Sequence, residues 1–449
     1  MLDVVVVGAG AAGIAAARAA LGMQCSVAVL EAMDRIGGRC YTDTSAPIPF
    51  DHGAQLMAQV QSVNTTLFPI LERSGAVTFP AESIARSLFD PLDPTHLADD
   101  DEQTVLYAGY ATIVGTILEH GLAIDQGEAP DISLAETVAR AGLAHLPYRR
   151  LILQLLSEVV VGIAPEHEST LDMFRFLRFS PAPLVYPPRD SLYVPSGLGT
   201  ALAALADGLP ISLSTPVASI ARDTDGVTVM LDGGAALRAR TVVVTASTGA
   251  VRTIAFEPAL PPDYDDAFDA LPMGNAYKAM LSFSGRPFDG RLGTQPGTMN
   301  NAIGLIEAPS PAFSVNYFAQ QYPQAPTCMV LTCESALADE YEAMGPQAAA
   351  LDILAQLEEP FPGVGQAWDG RVWASSWRTN PYTRGGLSSA LPGRVAARER
   401  LRMPIEQQLW FAGEALSTSS HDLLHGAWAS GTIAGTEAAR ASRRAFSQA

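Results

Sequence analysis

A chain of 449 residues is long for one simple domain and about right for two that share a ligand. With 48% hydrophobic and 17% charged residues it can build a sizeable core, which argues against disorder. A formal charge of −19, with no basic run anywhere, disfavours nucleic acid and anionic membrane surfaces as partners.

The chain opens on Asp3-Val-Val-Val-Val-Gly8, a short apolar run suited to a parallel strand buried on both faces. Because this strand starts at once, no signal peptide is expected, and the cytoplasm is the default location. Gly13 to Leu21 is alanine-rich and predicts a helix, and Cys25 to Glu31 predicts a second buried strand. Between strand and helix lies Gly8-Ala-Gly10-Ala-Ala-Gly13, a GxGxxG. The first glycine allows a tight turn, the second a close backbone approach to a pyrophosphate, and the third close helix packing. The helix N-terminus adds free N–H groups and a partial positive charge. Glu31, at the end of the second strand, is positioned to accept hydrogen bonds from an adenosine ribose, and the combination reads as a dinucleotide site. Arg35-Ile-Gly-Gly-Arg39 follows, with two glycines for another close pass and Arg39 available to pair with the pyrophosphate or to sit on the surface.

Further along, Ser196 to Leu205 predicts a glycine-marked turn and a helix, followed by strands at Val217–Ala221, Gly226–Leu231 and Thr241–Ala246. Leu409–Ala412 predicts a strand, and Gly426 to Ser442 a helix of small residues. The intervening blocks differ in character. They mix helices such as Leu151–Val161 with strands such as Ala279–Phe283 and Met329–Thr332. The predicted architecture is therefore interleaved: residues 1–75, 190–265 and 395–449 form one domain, and 76–189 with 266–394 form the other. Cys25, Cys40, Cys328 and Cys333 are too scattered for a disulfide framework, and the 7 histidines form no ligand set, so no metal is expected. No stretch reaches the roughly eighteen apolar residues that span a bilayer.

In ordered blocks over most of its length the chain resembles the flavin-containing amine oxidase family, which includes monoamine and polyamine oxidases and histone lysine demethylases. The blocks are the nucleotide motif with Glu31 and Arg35–Arg39, Asp51-His-Gly-Ala-Gln55, the Ser196–Leu205 turn and helix, Gly274-Asn-Ala-Tyr-Lys278, Trp377 to Gly386, Phe411-Ala-Gly-Glu414 and His425-Gly-Ala427. The resemblance implies an α/β fold, with a Rossmann-type FAD-binding domain and an interleaved α+β substrate domain. It also implies oxidation of a small-molecule amine by hydride transfer to flavin N5, with O2 reduced to H2O2. A homodimer is left open. So are three alternatives: a C–C desaturase or dehydrogenase of the same fold, an amine dehydrogenase with an acceptor other than oxygen, and a non-catalytic interaction protein that uses FAD only as a structural core.

As cofactor contacts the resemblance implies Gly8, Gly10, Ala12, Gly13, Glu31, Arg39, Gly53, Ala54, Gln55, Val217, Trp377, Gly413, Glu414, Leu423, Leu424 and Ala427. It makes Lys278 the catalytic residue, reaching N5 through a water, against the alternative of a solvated strand lysine. Trp377 either walls off the flavin or simply packs the core. The position directly after the glycine pair, where monoamine oxidases carry a tethering cysteine, is Leu387, so FAD is expected to be non-covalent. The positions matched to the two aromatic rings that flank the amine are Ser388 and Leu423, neither of them aromatic. The pocket is then wider, or takes a ring from Tyr317, Phe318 or Tyr322. No arginine stands near Gln55 to bind a carboxylate, which disfavours an amino-acid substrate.

Overall fold

The opening valines form the strand Leu2–Val7, an inner strand of an eight-stranded sheet. In the computed structural model the described residues are 1–58, 67–73, 79–80, 83–85, 89–90, 93–97, 100–179, 191–287, 299–304, 313–317, 326–359 and 361–447. The sheet order is Ile211–Ser212, Val27–Leu30, Leu2–Val7, Ala236–Val244, Gly226–Leu231, Val217–Asp223 and Ala255–Glu257. Its long strand Ala236–Val244 forks. Ala236 to Ala239 pair antiparallel with Val227 to Met230, while Val242 to Val244 pair parallel with Leu409–Phe411.

The register positions the site. Val7 lies opposite Leu30 and Val244, and Val244 lies opposite Phe411, all in parallel pairs. Four strands therefore end at one edge, and the segments starting at Gly8, Glu31, Thr245 and Ala412 all leave from it. In open α/β sheets this carboxyl edge is where ligands bind.

Side chains of the opening strand alternate between two cores. Val4 and Val6 join Val29, Val243 and Trp410 against alanines of the helix Ala11–Gly22 and of the C-terminal helix Leu424–Ser447. Val5 and Val7 face the other side, with Leu30, Val242, Val244, Phe411 and the helix Pro262–Asp269. The first and last helices pack closely because small residues meet. A Cβ on Gly431 would lie 2.0 Å from the Ala12 carbonyl oxygen.

A second, six-stranded sheet runs Trp368–Ala374, Ala276–Phe283, Thr327–Glu334, Phe313–Tyr317, Met299–Gly304 and Ser83–Ala85. Helices Ser335–Met344 and Pro346–Leu357 cover it. A third core joins helices Asp100–Asp125, Leu134–Arg140, Arg149–Val161 and Thr170–Phe179.

Element boundaries differ from expectation at a few ends. The first helix starts at Ala11 rather than Gly13, and the last at Leu424 rather than Gly426. Gly426 belongs to that helix's first turn because it packs there, its absent Cβ lying 1.9 Å from the Ser420 carbonyl oxygen. Among the described residues no helix is long and apolar enough to cross a membrane.

Candidate active site

At the sheet edge Gly8 turns the chain with φ +104°, a conformation that favours glycine. Gly13 has no room for a side chain, since a Cβ would lie 1.9 Å from the Gly8 carbonyl oxygen. Gly10 is different. Its φ is −77°, and a Cβ there would meet nothing nearer than Gly38 Cα at 3.8 Å. Neither backbone strain nor protein packing demands glycine at this helix N-cap. The absent side chain of Gly10 leaves space in front of the helix N-terminus, where a pyrophosphate can approach the backbone.

Glu31 is 4% exposed and accepts hydrogen bonds from the backbone N–H of Ala9 at 2.6 Å and of Met33 at 2.9 Å. It fastens the glycine turn to the end of the second strand. Burial raises its pKa, opposed by the bonds from Met33 and Ala9 and by Arg35. Beside it opens a cleft of about 430 Å³, lined by Met33, Asp34 and Arg35 on one side and Thr379, Asn380 and Tyr382 on the other. Arg35 lies over the Tyr41 ring, 4.0 Å from its centroid.

Lys278 sits in a strand otherwise almost entirely buried. Its Nζ donates to the Gly53 carbonyl at 2.6 Å, to Gln55 Oε1 at 3.0 Å and to the Asp51 carbonyl at 3.4 Å. Burial pushes the ammonium down to about 8, against the opposing pull of Asp51 and Glu334. The Asp51–Gln55 segment is itself held rigidly. The Asp51 carboxylate accepts from Thr42 Oγ1 at 2.5 Å and from the N–H of Leu198 at 3.1 Å, capping the helix Leu198–Ala204 from outside. Ala54 N–H donates to the Arg39 carbonyl at 3.3 Å. A Cβ on Gly53 would lie 3.2 Å from the Trp377 ring and one on Gly386 3.5 Å from it, so the buried indole spans both backbones.

Arg39 donates to Glu414 Oε1 at 2.7 Å and to the Gly386 carbonyl at 2.9 Å. Glu414 Oε2 accepts from Ser388 Oγ at 2.7 Å and from Asp422 N–H at 2.9 Å. Burial opposes its ionisation, yet Arg39 and these hydrogen bonds hold it below the usual carboxylate range. Gly413 N–H is fixed by Ser430 Oγ at 3.2 Å.

Sequence reasoning missed the groups behind Glu414. Arg398 is fully buried and pairs with Asp172 through two bonds, 2.9 and 2.6 Å. Glu168 accepts from Ser389, and Asp422 Oδ1 from Ser388 N–H at 2.5 Å. Burial and neighbouring carboxylates push Glu168 and Asp422 well above the usual range, and burial lowers His421 to about 4. Asp172, although buried, is held low by Arg398 and His421. Two ion pairs stand in this buried group, Asp172 with Arg398 and Glu414 with Arg39. Among the described residues no cluster of His, Cys, Asp or Glu is arranged to hold a metal.

Of the remaining expected contacts, Ala12 packs in the first-helix core, Val217 opens its strand opposite Leu231, and Leu424 and Ala427 join the core around Trp428. Leu423 packs instead toward the helical core of Ile113 and Phe176. Neighbouring residues thus face two different units. Ser388, matched by sequence to a pocket ring, has its hydroxyl on Glu414 and is 0% exposed. Tyr317 ends a strand opposite Asn300 and Met329, while Phe318 and Tyr322 lie outside the described residues.

Comparison with known proteins adds the following. Residues 11–439 match the family model described as flavin containing amine oxidoreductase. Polyamine oxidase 4 of Oryza sativa subsp. japonica is 26% identical over 445 residues, covering 97% of this chain and 88% of its own length. Cyclohexylamine oxidase from Brevibacterium oxydans IH-35A superposes with a TM-score of 0.79 at 21% identity, covering 98% of this chain and 99% of its own. Wild-type putrescine oxidase bound to putrescine gives 0.81 at 19%, covering 97% and 98%.

Proposed function

The chain belongs to the flavin-containing amine oxidoreductases, and from that premise we propose that it is an amine oxidase which removes a hydride from the carbon beside a neutral amine nitrogen and delivers the electrons to O2. FAD is its cofactor. The residues at the sheet edge fit this group: the open space at Gly10, the carboxylate of Glu31 and the Arg39–Glu414 pair suit pyrophosphate and ribose. When bound, FAD would supply a two-electron acceptor for the substrate hydride, with O2 as the terminal acceptor and H2O2 as the product.

The protein's own part is positioning and electrostatics. Gly8, Gly10, Gly13 and the helix they open hold the pyrophosphate, and Glu31 holds the adenosine ribose. Gly53, Ala54, Gln55, Gly413, Glu414, Leu424 and Ala427 surround the rest of the cofactor. Trp377 excludes water from its side of the site. Lys278, buried and bonded to Gly53 and Gln55, keeps a positive charge where negative charge develops during reaction with oxygen. No side chain need act as a base when the free amine binds. The imine released hydrolyses to a carbonyl compound and ammonia or a smaller amine.

In this reading residues 1–75, 190–265 and 395–449 form the cofactor domain, and 76–189 with 266–394 the substrate domain. The grouping of strands into two main sheets supports that division. Leu387 at the tether position supports non-covalent FAD. The observation that carries the proposal is the buried Lys278 against the Asp51–Gln55 segment, within a chain of this family. The test is stopped-flow reoxidation of the amine-reduced enzyme in air. Prompt return of the yellow colour with stoichiometric H2O2 supports an oxidase, whereas sluggish return identifies a dehydrogenase with another acceptor.

A further inference from the structure

The Ser388 hydroxyl stands between two charged groups, and their chemistry dictates its orientation. Arg398 Nη1 lies 3.3 Å from Ser388 Oγ, and a guanidinium only donates, so the hydroxyl oxygen accepts there. Its own proton is then directed to Glu414 Oε2 at 2.7 Å. Arg398 cannot turn away. Its Nε and Nη2 are fixed by Asp172, and Nη1 also donates to the Ala415 carbonyl at 2.5 Å. Asp172, Arg398 and Ser388 are each no more than 1% exposed, so water does not compete for these bonds. At the far end Glu414 Oε1 receives Arg39, which also reaches Gly386 next to the same turn.

We propose that Ser388 and Arg398 are positioning residues for FAD binding: the chain Asp172–Arg398–Ser388 fixes the Glu414 carboxylate, and through it the Arg39 guanidinium, in the orientation the cofactor requires. The proposal rests on the reading that Glu414 faces FAD. It gives Ser388 a task other than lining the amine pocket. It also makes a helix of the substrate-side unit, Thr170–Phe179, part of the cofactor's hold through Asp172.

A double-mutant cycle on the dissociation constant of FAD, measured by flavin fluorescence on the holoenzyme, tests it. Ser388→Ala removes one hydroxyl and Glu414→Gln keeps shape. The expected result is weakening of about tenfold for Ser388→Ala, more for Glu414→Gln, and no further loss in the double variant, because Ser388 acts only through the carboxylate. Unchanged affinity in Ser388→Ala, or single effects that multiply in the double variant, would overturn the proposal. Unchanged affinity in Glu414→Gln would instead overturn the reading of Glu414 itself. Arg398→Lys, which cannot reproduce the two-bond fork to Asp172 while reaching Ser388, is expected to weaken FAD severalfold in the wild-type background and not in Ser388→Ala. Equal weakening in both backgrounds would remove Arg398 from the chain of contacts. Should Arg398→Lys not fold, the Ser388 and Glu414 cycle still decides.

Discussion

At the scale of single residues, Lys278 carries the reaction with oxygen in this account. Lys278→Met is expected to slow reoxidation of the reduced enzyme more than tenfold, a barrier change of at least about 1.4 kcal/mol. Stopped-flow mixing with O2 checks this, and an unchanged rate removes the assigned role. The pH dependence has a definite sign. With its pKa pushed down to about 8 by burial, the lysine is cationic below that value and neutral above it. Reoxidation is therefore expected to slow as pH rises through about 8, while reduction by amine speeds up as the substrate's own ammonium deprotonates. Opposite slopes in the two half-reactions are the signature; parallel slopes contradict it. Lys278 was singled out in the sequence because its flanking residues resemble a family block. Arg398 was not: its partner Asp172 lies 226 residues away, and each alone reads as a solvated charge on a short helix. Asp51 was recognised only as part of a block, since its helix-capping role depends on Leu198, 147 residues later.

At the scale of elements, two glycines of the same helix pair separate folding from cofactor binding. Gly10→Ala meets no protein atom closer than 3.8 Å, so folding stability is expected to change by only about 1 kcal/mol. FAD affinity is expected to fall by at least tenfold, as read by fluorescence titration beside a denaturant melt of FAD-free protein. Gly431→Ala behaves in the opposite manner. Its Cβ would lie 2.0 Å from the Ala12 carbonyl, so the two helices must move apart, at a cost of about 1–3 kcal/mol in the melt of the FAD-free protein. Comparable losses of stability in both variants would contradict the distinction. The strand and helix pattern was largely readable because apolar runs and alanine periodicity are local. Ends shifted by a residue or two where packing overrides local preference, as at Gly426.

At the scale of the whole molecule, the buried pair Asp172–Arg398 joins the helix Thr170–Phe179 to the helix Ala397–Arg402, which precedes the strand Leu409–Phe411. Asp172→Asn leaves a buried guanidinium uncompensated and is expected to cost about 3–5 kcal/mol of stability in chemical denaturation. A loss under about 1 kcal/mol would mean the pair bears little of the join. The return of the chain to the first sheet after Ser196 and near Leu409 was legible from the strand patterns there. The fork of strand Ala236–Val244, which brings Phe411 beside Val244, was not, because pairing partners across 167 residues leave no local trace.

The most direct test of the central claim is anaerobic mixing of the FAD-loaded protein with primary, secondary and poly-amines while the yellow absorbance is followed. Bleaching by at least one amine is expected, at a rate that rises with pH. A flavin that stays fully oxidised with every amine, yet is bleached by a substrate lacking nitrogen, would contradict it.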